Sequence, residues 1–176
     1  MSIASSGNYV TVSDMDNQDE LLPVVDAGGE TVGKMTRREA HDGSKQLHPV
    51  VHLQLFNGKG EIYLQKRPLW KPIQPGKWDT ACGGHVGYGE TIDEALCREV
   101  NEELGIDVHD VEVQFVTRYV FESKVERELV YVYKAIWDGE VNPSNEELDG
   151  GRFFNVSELR EEECTPNFWQ EFNTRL

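Results

Sequence analysis

Cysteine is scarce in this chain, with Cys82, Cys97 and Cys164 the only three in 176 residues. An odd number without the close paired spacing of metal-binding thiols argues against a disulfide framework and a thiolate metal site, and it predicts a reduced, cytoplasmic setting. Long apolar runs are also missing, so no segment has the length needed to cross a bilayer and no membrane partner is expected. Basic residues are in short supply, 17 against 32 acidic ones, which leaves a formal charge of -15. Such a surface repels a phosphate backbone, which argues against nucleic acid as a partner. The first twenty residues have neither a basic start nor an apolar stretch. Residues 1–20 are therefore expected to form a flexible tail rather than a signal peptide or anchor, with 21–176 as one folded domain. At 38% hydrophobic residues the chain can bury a proper core.

What the chain does have is concentrated between Gly83 and Ile106. Thr91 with Glu94 reads as a capping box, and Gly105 suits a left-handed helix end, so a helix of about fourteen residues fits between them. Leu96, Val100 and Leu104 form an apolar stripe, while Glu99, Glu102 and Glu103 gather on another face. Like charges at these spacings cost a helix about 0.2–0.5 kcal/mol per pair, a cost that a bound cation turns into a gain. A solvated acidic face is the ordinary alternative. Against it stand Arg98 beside the acids, Glu90 ahead of the helix, and Gly83, Gly84, Gly87 and Gly89 in the entry loop, where backbone must approach a neighbour closely. Carboxylate oxygens without a thiolate pair point to a hard ion, Mg2+ or Mn2+, that shares its shell with substrate phosphates.

Gly84, five residues, Glu90, seven residues, then Arg98-Glu99-Val100-x-Glu102-Glu103-x-Gly105-Ile106 resembles the Nudix box at every fixed position. The resemblance implies an α/β/α sandwich with a mixed sheet. It also implies hydrolysis of a nucleoside diphosphate linked to another moiety, by metal-assisted attack of water on phosphorus. By the same resemblance Glu99, Glu102 and Glu103 bind metal or activate water, Arg98 orients them, Glu90 supports the metal shell, and the Gly83 carbonyl joins the coordination. Many members of the family bring one more carboxylate from the loop before the last strand, which points to Glu147 rather than Glu146. The partner is then a small phosphorylated molecule. Because a diphosphate repels nucleophiles unless cations neutralise it, Lys66, Arg67, Lys71 and Lys77 are candidate substrate contacts, with ordinary surface roles as the alternative.

A second resemblance covers more of the chain. Asp26, Gly33, Ala40-His41, Leu47-His48, Leu55-Phe56-Asn57, Gly60 and Pro75-Gly76-x-Trp78 are similar to type I isopentenyl diphosphate isomerases, which share the Nudix fold. That likeness implies a second metal site made of His41, His48, His85, Glu126 and Glu128, of imidazole and carboxylate character suited to Zn2+ or Mn2+. It also places the isomerases' catalytic cysteine at Gly83, one residue beyond Cys82. A one-residue offset in a strand turns a side chain to the other face. The expected activity is therefore hydrolysis, with isomerase and non-catalytic nucleotide-sensing module as the alternative readings. His52 and His109 read as structural histidines and Cys82 as a small core residue.

The remaining pattern predicts hairpins at Leu22–Val25/Thr31–Gly33 and Val50–Phe56/Glu61–Lys66. It further predicts a short helix capped by Thr36 and Glu39, a long strand pair over Val111–Phe121 and Leu129–Trp137, and closing helices over Ser157–Glu162 and Asn167–Arg175. The leaving group and the oligomeric state are not encoded in any of these features.

Overall fold

Asp26 closes the first turn, its Oδ1 accepting from the amides of Gly28 and Glu30, and so folds Leu21–Val25 (β1) back onto Thr31–Thr36 (β2). The computed structural model describes residues 17–143 and 150–176. Thr36 then makes a reciprocal capping box with Glu39 and starts the one-turn helix Arg37–Ala40 (α1), at whose end His41 sits.

The main sheet is built on Leu47–Phe56 (β3), which runs parallel to Arg127–Ile136 (β8) with His48 opposite Glu128. Val113–Glu122 (β7) pairs antiparallel with the far edge of β8. The other edge of β3 is shared: its C-terminal end pairs with Ile62–Lys66 (β4), and Val50–Leu53 pair with Cys82–His85 (β6). Trp78–Asp79 (β5) and Gly151–Phe154 (β9) both add to β4. Seven strands in all make up this mixed sheet.

Alternation along the strands sends side chains to two helices. Val51, Leu53 and Leu55 of β3 meet Leu96, Val100 and Leu104 of Ile92–Leu104 (α2) in the largest apolar cluster. Ile62, Leu64 and Phe154 pack with Phe168 of Pro166–Arg175 (α3) on the opposite face. The segment expected to be a helix over Ser157–Glu162 is instead two 3-10 turns, Val156–Glu158 and Glu161–Glu163. Asn155 caps the first of these, and the chain then extends at Leu159 and Arg160, so no continuous helix forms. Among the described residues no helix is long and apolar enough to cross a membrane.

Candidate active site and second cation site

The helix α2 begins where its sequence requires. Thr91 accepts from the Glu94 amide and Glu94 from the Thr91 amide, and Gly105 ends the helix at φ 65° with its N–H on the Asn101 carbonyl. One turn into the exposed side, Arg98 organises the acids. Its Nε and Nη2 donate to the two oxygens of Glu90 at 2.8 and 2.9 Å, its Nη1 to Glu99 at 2.5 Å, and its Nη2 also to the His85 carbonyl at 3.1 Å. The Gly87 amide donates to Glu90 at 2.8 Å, and these bonds, those from Arg98 foremost, hold Glu90 below the usual carboxylate range. Glu102 lies 3.6 Å from Arg98 with 61% of its side chain exposed, the one box glutamate that faces outward freely.

Glu99 and Glu103 turn inward under β6. A Cβ on Gly84 would overlap the Glu99 carboxyl, so only glycine lets the strand lie on this acid. Glu103 is buried and accepts from the Gly83 amide and from Gln65 Nε2, each at 3.2 Å. Burial, and then the charge of Glu99, push its carboxyl up to about 8. Gln65 carries a signal only in retrospect, as a buried polar residue directly after the apolar Ile62-Tyr63-Leu64.

Strand β6 alternates between two centres. Gly84 faces the acid helix, and His85 emerges on the other face among imidazoles. The ring centroids of His41, His48 and His85 lie 5.2–6.2 Å apart, and one ligand nitrogen from each falls within 4.8 Å of the others. His41 Nε2 is 3.1 Å from Glu126 Oε2. Backbone explains the convergence, since the Gly43 amide donates to the Val125 carbonyl and ties the loop after His41 to the β7–β8 turn. Glu128 stands opposite His48 in the register, buried, its carboxyl raised by burial and by Glu126. Four of the five expected ligands are thus brought together, with Glu128 their neighbour on the same sheet face.

The cluster suits a cation chemically. His48 Nδ1 sits 2.9 Å from the Gln46 carbonyl, which can only accept, so the proton belongs on Nδ1 and the lone pair on Nε2. Both His48 Nε2 and His85 Nε2 are buried without a hydrogen-bond partner among the described residues. Burial lowers both imidazoles below their ordinary range, His85 strongly, with Arg37 the second cause there. Imidazole nitrogens gathered this closely have the donor chemistry of a site that could hold a cation.

The candidate phosphate contacts are dispersed. Lys66 Nζ lies 5.7 Å from the Trp78 ring, Arg67 donates to the Ile73 carbonyl and to Asp79, and Lys77 donates to the Glu162 carbonyl. Lys71 and Arg37, in contrast, are near enough for their charges to act on His85. Arg37 carries one sequence signal, its place one helical turn before His41. Cys82 is fully buried in the α2-side core, where burial and then Glu103 raise its thiol well above the usual range. Gly83 instead faces His52. Glu146 and Glu147 lie outside the described residues.

A mixed sheet between α2 and α3, with the glycine strand laid on an acid-rich helix, defines the Nudix class of fold. The chain belongs to the Nudix family: the NUDIX domain model matches residues 46–172. It falls in the branch that resembles isopentenyl diphosphate isomerases. It is 31% identical over 160 residues to an isopentenyl-diphosphate Delta-isomerase of Streptomyces coelicolor, covering 89% of this chain and 81% of that one. It is also 33% identical over 134 residues to an uncharacterised Nudix hydrolase of Pseudomonas aeruginosa, covering 76% and 78%. Among solved structures it resembles DR0079 of Deinococcus radiodurans, with a TM-score of 0.67 at 23% identity over 89% of this chain and 91% of that one. The Nudix domain of Shewanella oneidensis NrtR, solved with ADP ribose, gives 0.60 at 12% over 71% and 83%; at such identities the likeness concerns fold alone.

Proposed function

We propose that the protein is a Nudix pyrophosphohydrolase that cleaves a nucleoside diphosphate linked to another moiety. The observation that carries this reading is the Arg98-centred array. One guanidinium holds Glu90 and Glu99 in place and leaves Glu102 exposed beside them. Water attacks phosphorus, the bridging P–O bond breaks, and the proton of the water passes to a carboxylate, for which Glu102 has the access. Glu103, held by Gly83 and Gln65, keeps the glycine strand on the helix. Glu99, Glu102 and Glu103 are the residues that would hold a Mg2+ or Mn2+, which would supply charge neutralisation at the phosphoryl oxygens. The histidine cluster with Glu126 is suited to a second ion, and Arg37 and Lys71 beside it provide positive charge for the phosphate in an otherwise acidic molecule.

Isomerisation is the second reading, favoured by the names of the isomerase relatives. It lacks support at the thiol: Cys82 points into the core and Gly83 faces the histidine side. A panel of sugar nucleotides, dinucleotides, nucleoside di- and triphosphates and isopentenyl diphosphate, assayed with Mg2+ and Mn2+, tests the reading. Release of a nucleoside monophosphate is expected. Glu102→Gln should lower kcat by about 10²–10⁴-fold with the melting temperature unchanged. Formation of dimethylallyl diphosphate would overturn the assignment.

A further inference from the structure

Beyond the histidine cluster, β6 leads along the α3 face into a region that hydrolysis itself does not use. Gly83 lies on this face two residues from His85, about 7 Å along the strand. A group joined to a phosphate at the cluster therefore falls against Gly83 and its neighbours. Those neighbours are polar. A Cβ on Gly83 would lie 3.2 Å from His52 Cδ2 and 3.4 Å from Thr80 Cγ2. His52 Nδ1 is 2.9 Å from Oε2 of Glu171, a fully buried acid on α3. Glu171 also accepts from the Tyr119 hydroxyl at 2.6 Å and from the Gln54 amide, and Tyr119 lies 2.8 Å from Asn167 Oδ1.

With Nδ1 engaged by Glu171, Nε2 is the ring's remaining polar atom, 3.5 Å from where a Cβ on Gly83 would lie, and it makes no hydrogen bond among the described residues. The valines of this face, Val50, Val130 and Val132, are buried in a cluster with Tyr119 rather than offered beside Gly83. A hydrocarbon laid here would cover that ring nitrogen without a partner, whereas a hydroxyl would hydrogen-bond to it.

We propose that His52 and Glu171 are specificity determinants. They make the surface beside Gly83 a hydrogen-bonding one, which selects diphosphates attached to a hydroxylated sugar and rejects those attached to a branched five-carbon hydrocarbon. The proposal rests on the reading of the site as diphosphate-binding. Its test is calorimetric titration of the unsubstituted full chain in the presence of Mg2+ with pyrophosphate, isopentenyl diphosphate and an ADP-ribose whose bridging oxygen is replaced by methylene, which prevents turnover without removing a metal ligand. The ADP-ribose analogue should bind at least about tenfold more tightly than pyrophosphate, and isopentenyl diphosphate within about threefold of pyrophosphate.

The double substitution His52→Leu with Glu171→Gln removes the polar pair yet leaves an amide oxygen for Tyr119 and Gln54. It should raise isopentenyl diphosphate about tenfold relative to pyrophosphate and reduce the ADP-ribose advantage about tenfold. A tenfold preference for isopentenyl diphosphate before substitution, or ratios untouched by the substitution, overturns the proposal while leaving diphosphate binding intact. Failure of pyrophosphate to bind removes the diphosphate reading and the proposal together. Should the double variant not fold, the ratios of the parent protein decide.

Discussion

Arg98 shows what a single planar cation can do that a point charge cannot. Its fork meets both oxygens of Glu90 while a third nitrogen reaches Glu99, and the bond to the His85 carbonyl carries that order to the strand bearing the histidines. A lysine retains the charge and loses the geometry. Arg98→Lys should therefore reduce kcat/KM by about 10²-fold, consistent with misplaced catalytic groups, while the melting temperature stays within a few degrees. Steady-state kinetics beside a thermal melt would check this, and unimpaired turnover would remove Arg98 from its organising role. His52 offers a residue-scale test of a different kind. Its folded pKa of about 9 exceeds the ordinary 6.5, so its stabilising contribution is whole below pH 6.5 and is lost as pH rises towards 9. Glu103, raised from 4.5 to about 8, adds a loss in the same direction over its own lower window. Urea midpoints should thus fall between pH 6 and pH 9, and His52→Gln should flatten the upper part of that fall by about 1–3 kcal/mol. A variant as pH-sensitive as its parent would assign the effect to other groups.

At the scale of the element, strand β6 is the piece that sequence patterns describe least well. Its Cys82-Gly83-Gly84-His85 has poor strand propensity, and it exists because β3 supplies the partner backbone over Val50–Leu53. Helix α2 was legible because its cap, stripe and terminal glycine are all local, and the hairpin turns because Asp26 and Asn57 bond their own following amides. The Ser157–Glu162 segment misled for the converse reason: its charged composition favours helix, while Asn155 and the extended Leu159 and Arg160 divide it into separate turns. In the candidate site the box acids could be placed from spacing, and the histidine set from resemblance. The His52–Glu171 pair could not, since 119 residues separate its members and nothing local couples them. The narrow passage between β6 and α2 gives a test. Gly84→Ala would drive its methyl into the Glu99 carboxyl, so a stability loss of about 1–3 kcal/mol and a disproportionate fall in kcat are expected. Equal activity at matched folded fraction would show that Glu99 can move aside without consequence.

For the molecule as a whole, the histidine cluster predicts linkage between ion binding and stability. Ligands from the end of α1, from β3 and from β6 converge only in the folded chain, so an ion held there stabilises it with the logarithm of its free concentration over its Kd. Mn2+ or Zn2+ should stabilise the parent protein by about 3 kcal/mol at a hundredfold excess over Kd, and His48→Ala should abolish most of that gain. Because burial depresses His48 and His85 below 6.5, binding should persist in mildly acidic solution, where an exposed cluster would already be losing its ion. Calorimetry at pH 6 and pH 7.5 would check both points. An undiminished metal-induced shift in the variant would place the ion elsewhere.

The parallel pairing of β3 with β8 joins residues about 80 positions apart, and it lies at the centre of the sheet. Loop-closure entropy must be met before this contact returns any energy, so the central pair forms late and slowly, after hairpins and α2 have had time to appear. On the ribosome the consequence is sharper. His41, His48 and His85 emerge long before Glu126, so a nascent chain holds three imidazoles with no carboxylate partner and no covering strand. Any divalent transition-metal ion captured during that interval would be bound by an unfinished protein, and Glu126 arrives only with the turn that locks Gly43 to Val125.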